Sequence, residues 1–307
     1  MVEKSHISDA FLLPPLAKLA GAVYDSLVEQ TRDAVQQAGY GEVVLGLSGG
    51  LDSALVATIA ADALGGECVH GVMMPSVWTS EASVLDAEEL ARRLGIELLT
   101  LPIMPAYEAL SDTLEDMGDK GVGSFCLAGF SKTKRTDPFV SVTEQNLQAR
   151  IRGVLLMALS NKHRWFVLAP CNKSELSTGY ITLYGDMAGS FMPLAPVYKS
   201  WVYELAHMRN ARAEAAGMLP PIPESILTKQ PSAELAPGQS DEADLGSYEH
   251  LDALLHQHLT HKKQADELVQ MGFEPTYVED ILKRVTGSAF KRAQACPGAR
   301  IELMKLR

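Results

Sequence analysis

The sequence predicts an α/β protein with a doubly wound parallel sheet and helical extensions at both ends. Three observations carry that expectation. Short apolar runs without polar alternation recur between residues 43 and 169, segments of helical periodicity lie between them, and a loop rich in glycine and serine, SGGLDS at 48–53, directly follows the first run. Strands buried on both faces read as unbroken apolar runs, and a repeated strand-helix order closes into right-handed crossovers with helices on both sides of the sheet.

Taken in order, residues 16–38 place Leu16, Leu19, Ala20, Val23 and Leu27 at helical spacing and stop at Gly39, which predicts a helix ended by glycine. VVLGL (43–47), CVHGVMM (68–74), ELLTL (97–101) and RWFVLA (164–169) are the expected strands, with helices over about 53–64, 80–94 and 143–160. Two stretches are longer than ordinary connections. Residues 118–140 are glycine-rich and basic near their end, and 219–248 hold five of the 16 prolines; each is expected to be either a mobile connection or a lid. Helical periodicity returns over 248–283, and the tail from Phe290 carries five basic residues among 18. Residues 1–307 are expected to form one domain, with a nucleotide-binding α/β core over 16–210 and a loop-and-helix part over 211–307.

Composition narrows the function. A formal charge of −11 argues against broad binding of a nucleic-acid backbone, which depends on clustered Lys and Arg. No run approaches the ~18 apolar residues of a membrane span, and the amino-terminal stretch lacks a secretory pattern, so a cytoplasmic location without nucleic-acid or membrane partners is expected. The four cysteines are far apart with no C-x-x-C pairing, which suggests neither a zinc site nor a disulfide framework; Cys68 is expected in the core of a strand.

The chemistry concentrates in SGGLDS. Its glycines, Gly49 and Gly50, let backbone amides converge on an anion, and the helix that follows adds its amino-terminal dipole. Neither the G-x-x-x-x-G-K-[ST] nor the G-x-G-x-x-G spacing is present. Ser48 and Ser53 can donate to phosphate oxygens, whereas Asp52 would repel a bare pyrophosphate unless Mg²⁺ stands between them. A plain glycine turn with Asp52 as a helix cap accounts for only one or two of these residues. Downstream, Asn146 and Arg150 share a helix face at i, i+4, with Arg152 two residues on. Glu175 is either a second carboxylate for a metal or a cap complementing a helix dipole.

The loop resembles the pyrophosphate loop of the ATP pyrophosphatase group, which implies a Rossmann-like, adenine nucleotide alpha hydrolase-like form of the doubly wound sheet. TEQNLQARIRGVLLMALSNK (143–162), NKSELSTGYITLYGDMAG (172–189), KQPSAELAPGQSDEADLG (229–246) and FKRAQACPG (290–298) resemble NAD synthetase, most closely the synthetase domain of the glutamine-dependent form without its amidase domain. The resemblance implies a carbon-nitrogen ligase of NAD biosynthesis. ATP adenylates the nicotinate carboxylate of deamido-NAD with release of pyrophosphate, and ammonia then displaces AMP.

It also implies roles for residues. Ser48, Gly49, Gly50, Asp52, Ser53, Met73, Lys199 and Ser232 fall at ATP, while Asn146, Arg150, Leu183, Tyr184, Asp186, Phe290 and Lys291 fall at deamido-NAD. Asp52 and Glu175 hold Mg²⁺, and Asp52, Lys199 and Asp186 are the catalytic set. Lys229 joins Lys199 as a counter-charge for phosphates. The sequence departs from the family's pattern at Pro170-Cys171, where a threonine hydroxyl is lost, and Met73 stands where the ammonia-dependent form often has arginine.

The residues before 43 are too few for the amidase, so the nitrogen is expected as free ammonia, from a separate glutaminase chain, or from the rest of a longer chain. The family is typically a homodimer. The competing readings are another amide synthetase of the group, for which Val2 lacks the nucleophilic thiol of asparagine synthetase, and a tRNA-modifying enzyme, for which paired cysteines and basic surfaces are missing. A nucleotide-binding module that has lost catalysis is a third, motivated by Pro170 and Cys171.

Overall fold

The computed structural model describes residues 11–118 and 141–302. Four parallel strands, β1 (Val43–Gly46), β2 (Val69–Met73), β3 (Glu97–Thr100) and β4 (Phe166–Val167), form one sheet in the order β3-β2-β1-β4. The register pairs Val43 with Val69 on one side and with Phe166 on the other. Because side chains alternate across a strand, Val43 and Leu45 enter the larger apolar core while Val44 enters the core on the opposite face.

The larger core packs α1 (Ala20–Gln37), α2 (Leu51–Leu64) and a helix from Lys199 to Ala215 against that face. Ten of the 14 residues of α2 are buried, as expected of a helix enclosed between a sheet and two other helices. The α3 helix (Glu81–Leu94) starts at a Ser80 cap and ends at Gly95 in the left-handed conformation. The other face is covered by α4 (Met104–Gly118) and α5 (Val142–His163), whose Ile151 and Leu156 meet Val44, Val72 and Val167.

Several elements differ from the sequence expectation. The fourth strand is two residues long, because Leu168 N bonds Val44 O at 3.0 Å and Ala169 N then turns to Phe191 O at 3.0 Å, so the chain leaves the sheet. Cys68 is not in a strand: it closes a short 3-10 turn before β2, with its N–H on Gly65 O at 3.1 Å, and is half-buried. The α4 helix has no counterpart in the expected elements, and neither does the helix at 199–215, numbered α7 below.

Of the two long stretches, 119–140 lies outside the described residues. The other holds two short helices, α8 (Glu224–Thr228) and α9 (Asp241–Leu245). Before them come α6 (Lys173–Thr178) and α7 (Lys199–Ala215). The helical region after 248 divides into α10 (Tyr248–Leu259), α11 (Ala265–Gln270), α12 (Pro275–Gly287) and α13 (Ala289–Arg292). Among the described residues no helix is long and apolar enough to cross a membrane. The carboxyl ends of β1 and β2 open onto one cavity, where ligands of such sheets bind.

Candidate functional site

A cavity of about 460 Å³ lies over the carboxyl ends of β1 and β2. Its base is the loop between β1 and α2. Gly49 has φ +73°, and a Cβ there would stand 2.2 Å from Ser83 O, so glycine is required twice over. Gly50 is extended and caps the start of α2. Ser48 and Ser53 clasp the turn: their hydroxyls are 3.1 Å apart, Ser53 Oγ donates to Gly50 O at 3.0 Å, and Gly50 N donates to Ser48 Oγ at 3.2 Å. The loop is thus held before any ligand arrives.

The floor is ionic. Lys199, the first residue of α7, is buried and its Nζ donates to Asp52 Oδ2 in the first turn of α2. Asn172 Nδ2 donates to the other Asp52 oxygen at 3.0 Å. Asn172 also caps α6: its Oδ1 accepts from Glu175 N at 3.0 Å while Glu175 Oε2 accepts from Asn172 N at 3.1 Å. Glu175 therefore does what the plainer reading expected, capping a helix, and also lines the cavity. Burial, then the Asp52 charge, push its pKa well above the usual carboxylate range, with Lys199 opposing.

Burial lowers the Lys199 pKa, but the Asp52 and Glu175 charges outweigh it and the net shift is upward. A third carboxylate, Asp241 at the start of α9, faces the same lysine. Tyr248 OH donates to its Oδ2 at 2.9 Å, its Oδ1 is buried without a partner, and burial raises its pKa.

Three carboxylates share one lysine at this pole of the cavity, so a proton or a second cation completes the charge balance, as the upward shifts of Glu175 and Asp241 reflect. Among the described residues no cluster of three or more His, Cys, Asp or Glu side chains is placed to hold a metal ion by itself. The donor set fits a cation that completes its shell with phosphate oxygens and water, as Mg²⁺ does.

The opposite wall comes from α3 and the segment after α8. Lys229 Nζ pairs with Asp86 and donates to Gly49 O and Ser83 Oγ, each at 3.1 Å. Glu234 accepts from Ser80 Oγ and Ser83 Oγ, each at 2.8 Å. Ser232 lines the cavity, but its hydroxyl is used within the loop, donating to Gln239 O at 2.7 Å. Met73 lines the cavity at the end of β2, and Pro170 and Cys171 border it. Cys171 Sγ donates to Asp186 O at 3.5 Å and burial pushes its thiol pKa up, so the thiol is inert, while the expected threonine hydroxyl is lost at Pro170, whose ring offers no donor.

Asp186 opens onto the cavity and its Oδ1 accepts from Thr182 N at 2.7 Å. Enclosure by protein pushes its pKa up to about 6, with backbone donors and Lys291 opposing. The rest of the set expected at the second substrate does not share this cavity. Leu183 and Tyr184 border an adjacent open groove of about 610 Å³.

Asn146 Oδ1 accepts from Thr182 Oγ1 at 2.8 Å, Arg150 Nε donates to Leu183 O at 3.2 Å, and Lys291 Nζ donates to Gly179 O and Ile181 O at 2.8 and 2.6 Å. Their polar atoms brace the 179–184 segment from outside. Tyr184 sits at φ +63° with its OH on Gln294 Oε1 at 2.5 Å, and both it and Phe290 are exposed.

Arg152, Asp241 and Glu234 are cavity residues to which the sequence reading gave no role. Arg152 stood in a quoted motif, but its direction depends on which face of α5 meets β2. Glu234 and Asp241 stand in the quoted stretch 229–246, but the first lies in an irregular segment and the second opens the five-residue α9, too short for periodicity to give orientation.

Comparison with known proteins places these motifs. Residues 23–295 match the NAD synthase family. The glutamine-dependent NAD(+) synthetase of Acinetobacter baylyi is 43% identical over 287 residues, 94% of this chain and 49% of that protein. The chain therefore spans about half the length of the curated relatives it matches. The NH3-dependent NAD synthetase of Campylobacter jejuni is 28% identical with a TM-score of 0.65, covering 89% of this chain and 95% of that one. The NMN synthetase of Francisella tularensis is also 28% identical, with a TM-score of 0.69 and coverage of 92% and 97%.

Proposed function

Because the chain belongs to the NAD synthase family, we propose that it uses ATP to amidate the nicotinate carboxylate of deamido-NAD, with ammonia as the nitrogen donor. The observation that carries the reading is the convergence of the Ser48–Ser53 loop, the Lys199–Asp52 pair and Glu175 on one cavity. A nucleoside triphosphate seated there meets backbone amides and two hydroxyls at its phosphates.

Asp52 and Glu175 would hold Mg²⁺, which when bound neutralises the phosphates and lowers the charge on the departing pyrophosphate. Lys199 stays charged and stabilises the negative charge that moves onto the leaving pyrophosphate as the α–β bridge breaks. In the first step a carboxylate oxygen attacks the α-phosphorus and pyrophosphate leaves. In the second, ammonia attacks the acyl carbon, AMP leaves with the electrons of the C–O bond, and the proton shed by nitrogen passes to water. Both steps depend on positioning and charge neutralisation more than on a strong base.

Asp186 positions the 182–186 turn between the cavity and the outer groove, and the braced segment with Tyr184, Arg150 and Lys291 receives the dinucleotide. This placement suits a homodimer in which a second copy covers the outer groove. The similarity to an ammonia-dependent synthetase supports ammonia as donor; the higher identity with glutamine-dependent synthetases makes glutamine the competing source, through a separate glutaminase chain or an amidase domain of a longer chain. The similarity to an NMN synthetase supports a second substrate reading, the mononucleotide.

The test incubates the protein with MgATP, either deamido-NAD or nicotinate mononucleotide, and either NH₄⁺ or glutamine, and measures NAD, NMN and AMP. NAD and AMP formed with NH₄⁺ are the expected products. NMN in place of NAD selects the second reading, and no amide with any combination refutes both.

A further inference from the structure

Three cations line the cavity, and two are committed. Lys199 pairs with Asp52, and Lys229 pairs with Asp86. The third, Arg152 in the middle of α5, differs. Its Nε donates to Met74 O at 3.0 Å, beyond the end of β2, and among the described residues its two terminal Nη groups have no hydrogen-bond or ion-pair partner. Glu234 acts on it through space without bonding. Burial holds its pKa down to about 10, so the group is still charged near neutrality. An unpaired cation in a protein wall is costly unless an anion completes it.

Arg150 and Arg152 share a helix but not a destination. Arg150 reaches Leu183 O outside the cavity, and Arg152 reaches Met74 O inside it. The strand end that Arg152 holds adjoins the phosphate loop, where Leu47 N bonds Val72 O at 2.9 Å. The guanidinium fork is matched to phosphate oxygens in a way an ammonium is not.

We propose that Arg152 is a phosphate-binding residue of this cavity: Nε stays on Met74 O, and the two Nη groups receive phosphate oxygens of ATP seated on the Ser48–Ser53 loop. The inference rests on the ATP-using reading above, yet it concerns binding and can be measured without turnover.

The experiment titrates MgATP, and separately deamido-NAD, into the full chain and its R152M and R152K variants by calorimetry. Thermal unfolding is followed alongside. R152M is expected to weaken MgATP at least tenfold while changing deamido-NAD affinity less than twofold, and R152K to recover only part of the loss. Should R152M fail to fold, R152K decides: a lysine cannot hold Met74 O and span a phosphate together, so at least threefold weaker MgATP binding is expected. Unchanged MgATP affinity in a folded variant, or a loss confined to deamido-NAD, overturns the proposal. If the wild type binds MgATP but forms no amide, the proposed function fails while the MgATP affinities still decide the role of Arg152.

Discussion

Lys199 donates its Nζ to Asp52 Oδ2, joining the first residue of α7 to the first turn of α2 across the floor of the cavity. The two partners should fail differently. Lys199→Met leaves Asp52, Glu175 and Asp241 facing one another, so a stability loss of about 3 kcal/mol is expected, as for a buried pair that loses one member. Asp52→Asn keeps an oxygen for Lys199 and should cost about 1 kcal/mol. It should lower turnover by roughly 10²- to 10³-fold through the lost charge. Urea unfolding and AMP release measure the contrast; equal stability losses would show that the pair does not hold the floor.

Asp252 is fully buried in α10 and organises that lysine from behind. Its Oδ2 accepts from Ser200 N and Oγ at 2.8 and 2.7 Å, its Oδ1 accepts from Ser174 Oγ, and Ser174 Oγ in turn accepts from Lys199 N at 2.9 Å. One carboxylate thus fixes the starts of α6 and α7, which carry Glu175 and Lys199. Asp252→Asn replaces one acceptor oxygen with an amide donor that faces donors, and should cost about 2 kcal/mol. For a positioning residue kcat should fall about tenfold with the KM for ATP changed less than twofold. A parallel rise in KM would place its effect on binding instead.

The parts of this site legible in the sequence are those fixed by local geometry. SGGLDS announces its own turn, since Gly49 has both a positive φ and no room for a Cβ. The apolar runs at 43–47, 68–74 and 97–101 bound their strands to within a residue at each end; double burial explains the first two, whereas β3 is an edge strand, exposed at Glu97 and Thr100 and half-buried at Leu98 and Leu99. Asp241 and Asp252 were not legible as site residues, because each acts through a contact brought together by the packing of α9 and α10 onto α7. The division of Arg150 from Arg152 was equally hidden: it follows from the side of α5 that the sheet covers. The α4 helix went unread because its apolar residues give only a narrow stripe between polar ones.

Asp186 gives a pH dependence with opposite signs for stability and activity. Its pKa in the folded protein is pushed up to about 6, whereas in the unfolded chain an aspartate titrates near ~3.9. The folded state therefore binds the proton more tightly. The associated stabilisation is present below about 3.9 and is lost as pH rises through about 6. Because the side chain opens onto cavity water, solvent screens it and the effect on unfolding should be small.

Activity runs the other way. Protonation weakens the charge-assisted bond from Thr182 N, so turnover should fall as pH drops below about 6. Asp186→Asn should remove that limb of the rate profile and be no less stable than the wild type at pH 8. A limb that persists unchanged in the variant assigns it to another group.

Gly153, in the middle of α5, is the position where the smallest substitution should have a local structural cost. A Cβ there would lie 2.7 Å from Tyr184 O and 3.1 Å from Gly185 O, both backbone atoms that cannot swing aside. Alanine is favoured over glycine inside a helix by up to about 1 kcal/mol, but the clash should outweigh that gain and leave the variant about 1–2 kcal/mol less stable. Gly153 and Ala188 border both the cavity and the outer groove. The displaced segment carries Asp186, so turnover should fall along with stability. Gly287, at the end of α12 with open space around its Cβ position, is the control. Gly287→Ala should be neutral or stabilising by up to about 1 kcal/mol, and a matching loss at both sites would show that helix propensity, not the approach of Tyr184 O, governs position 153.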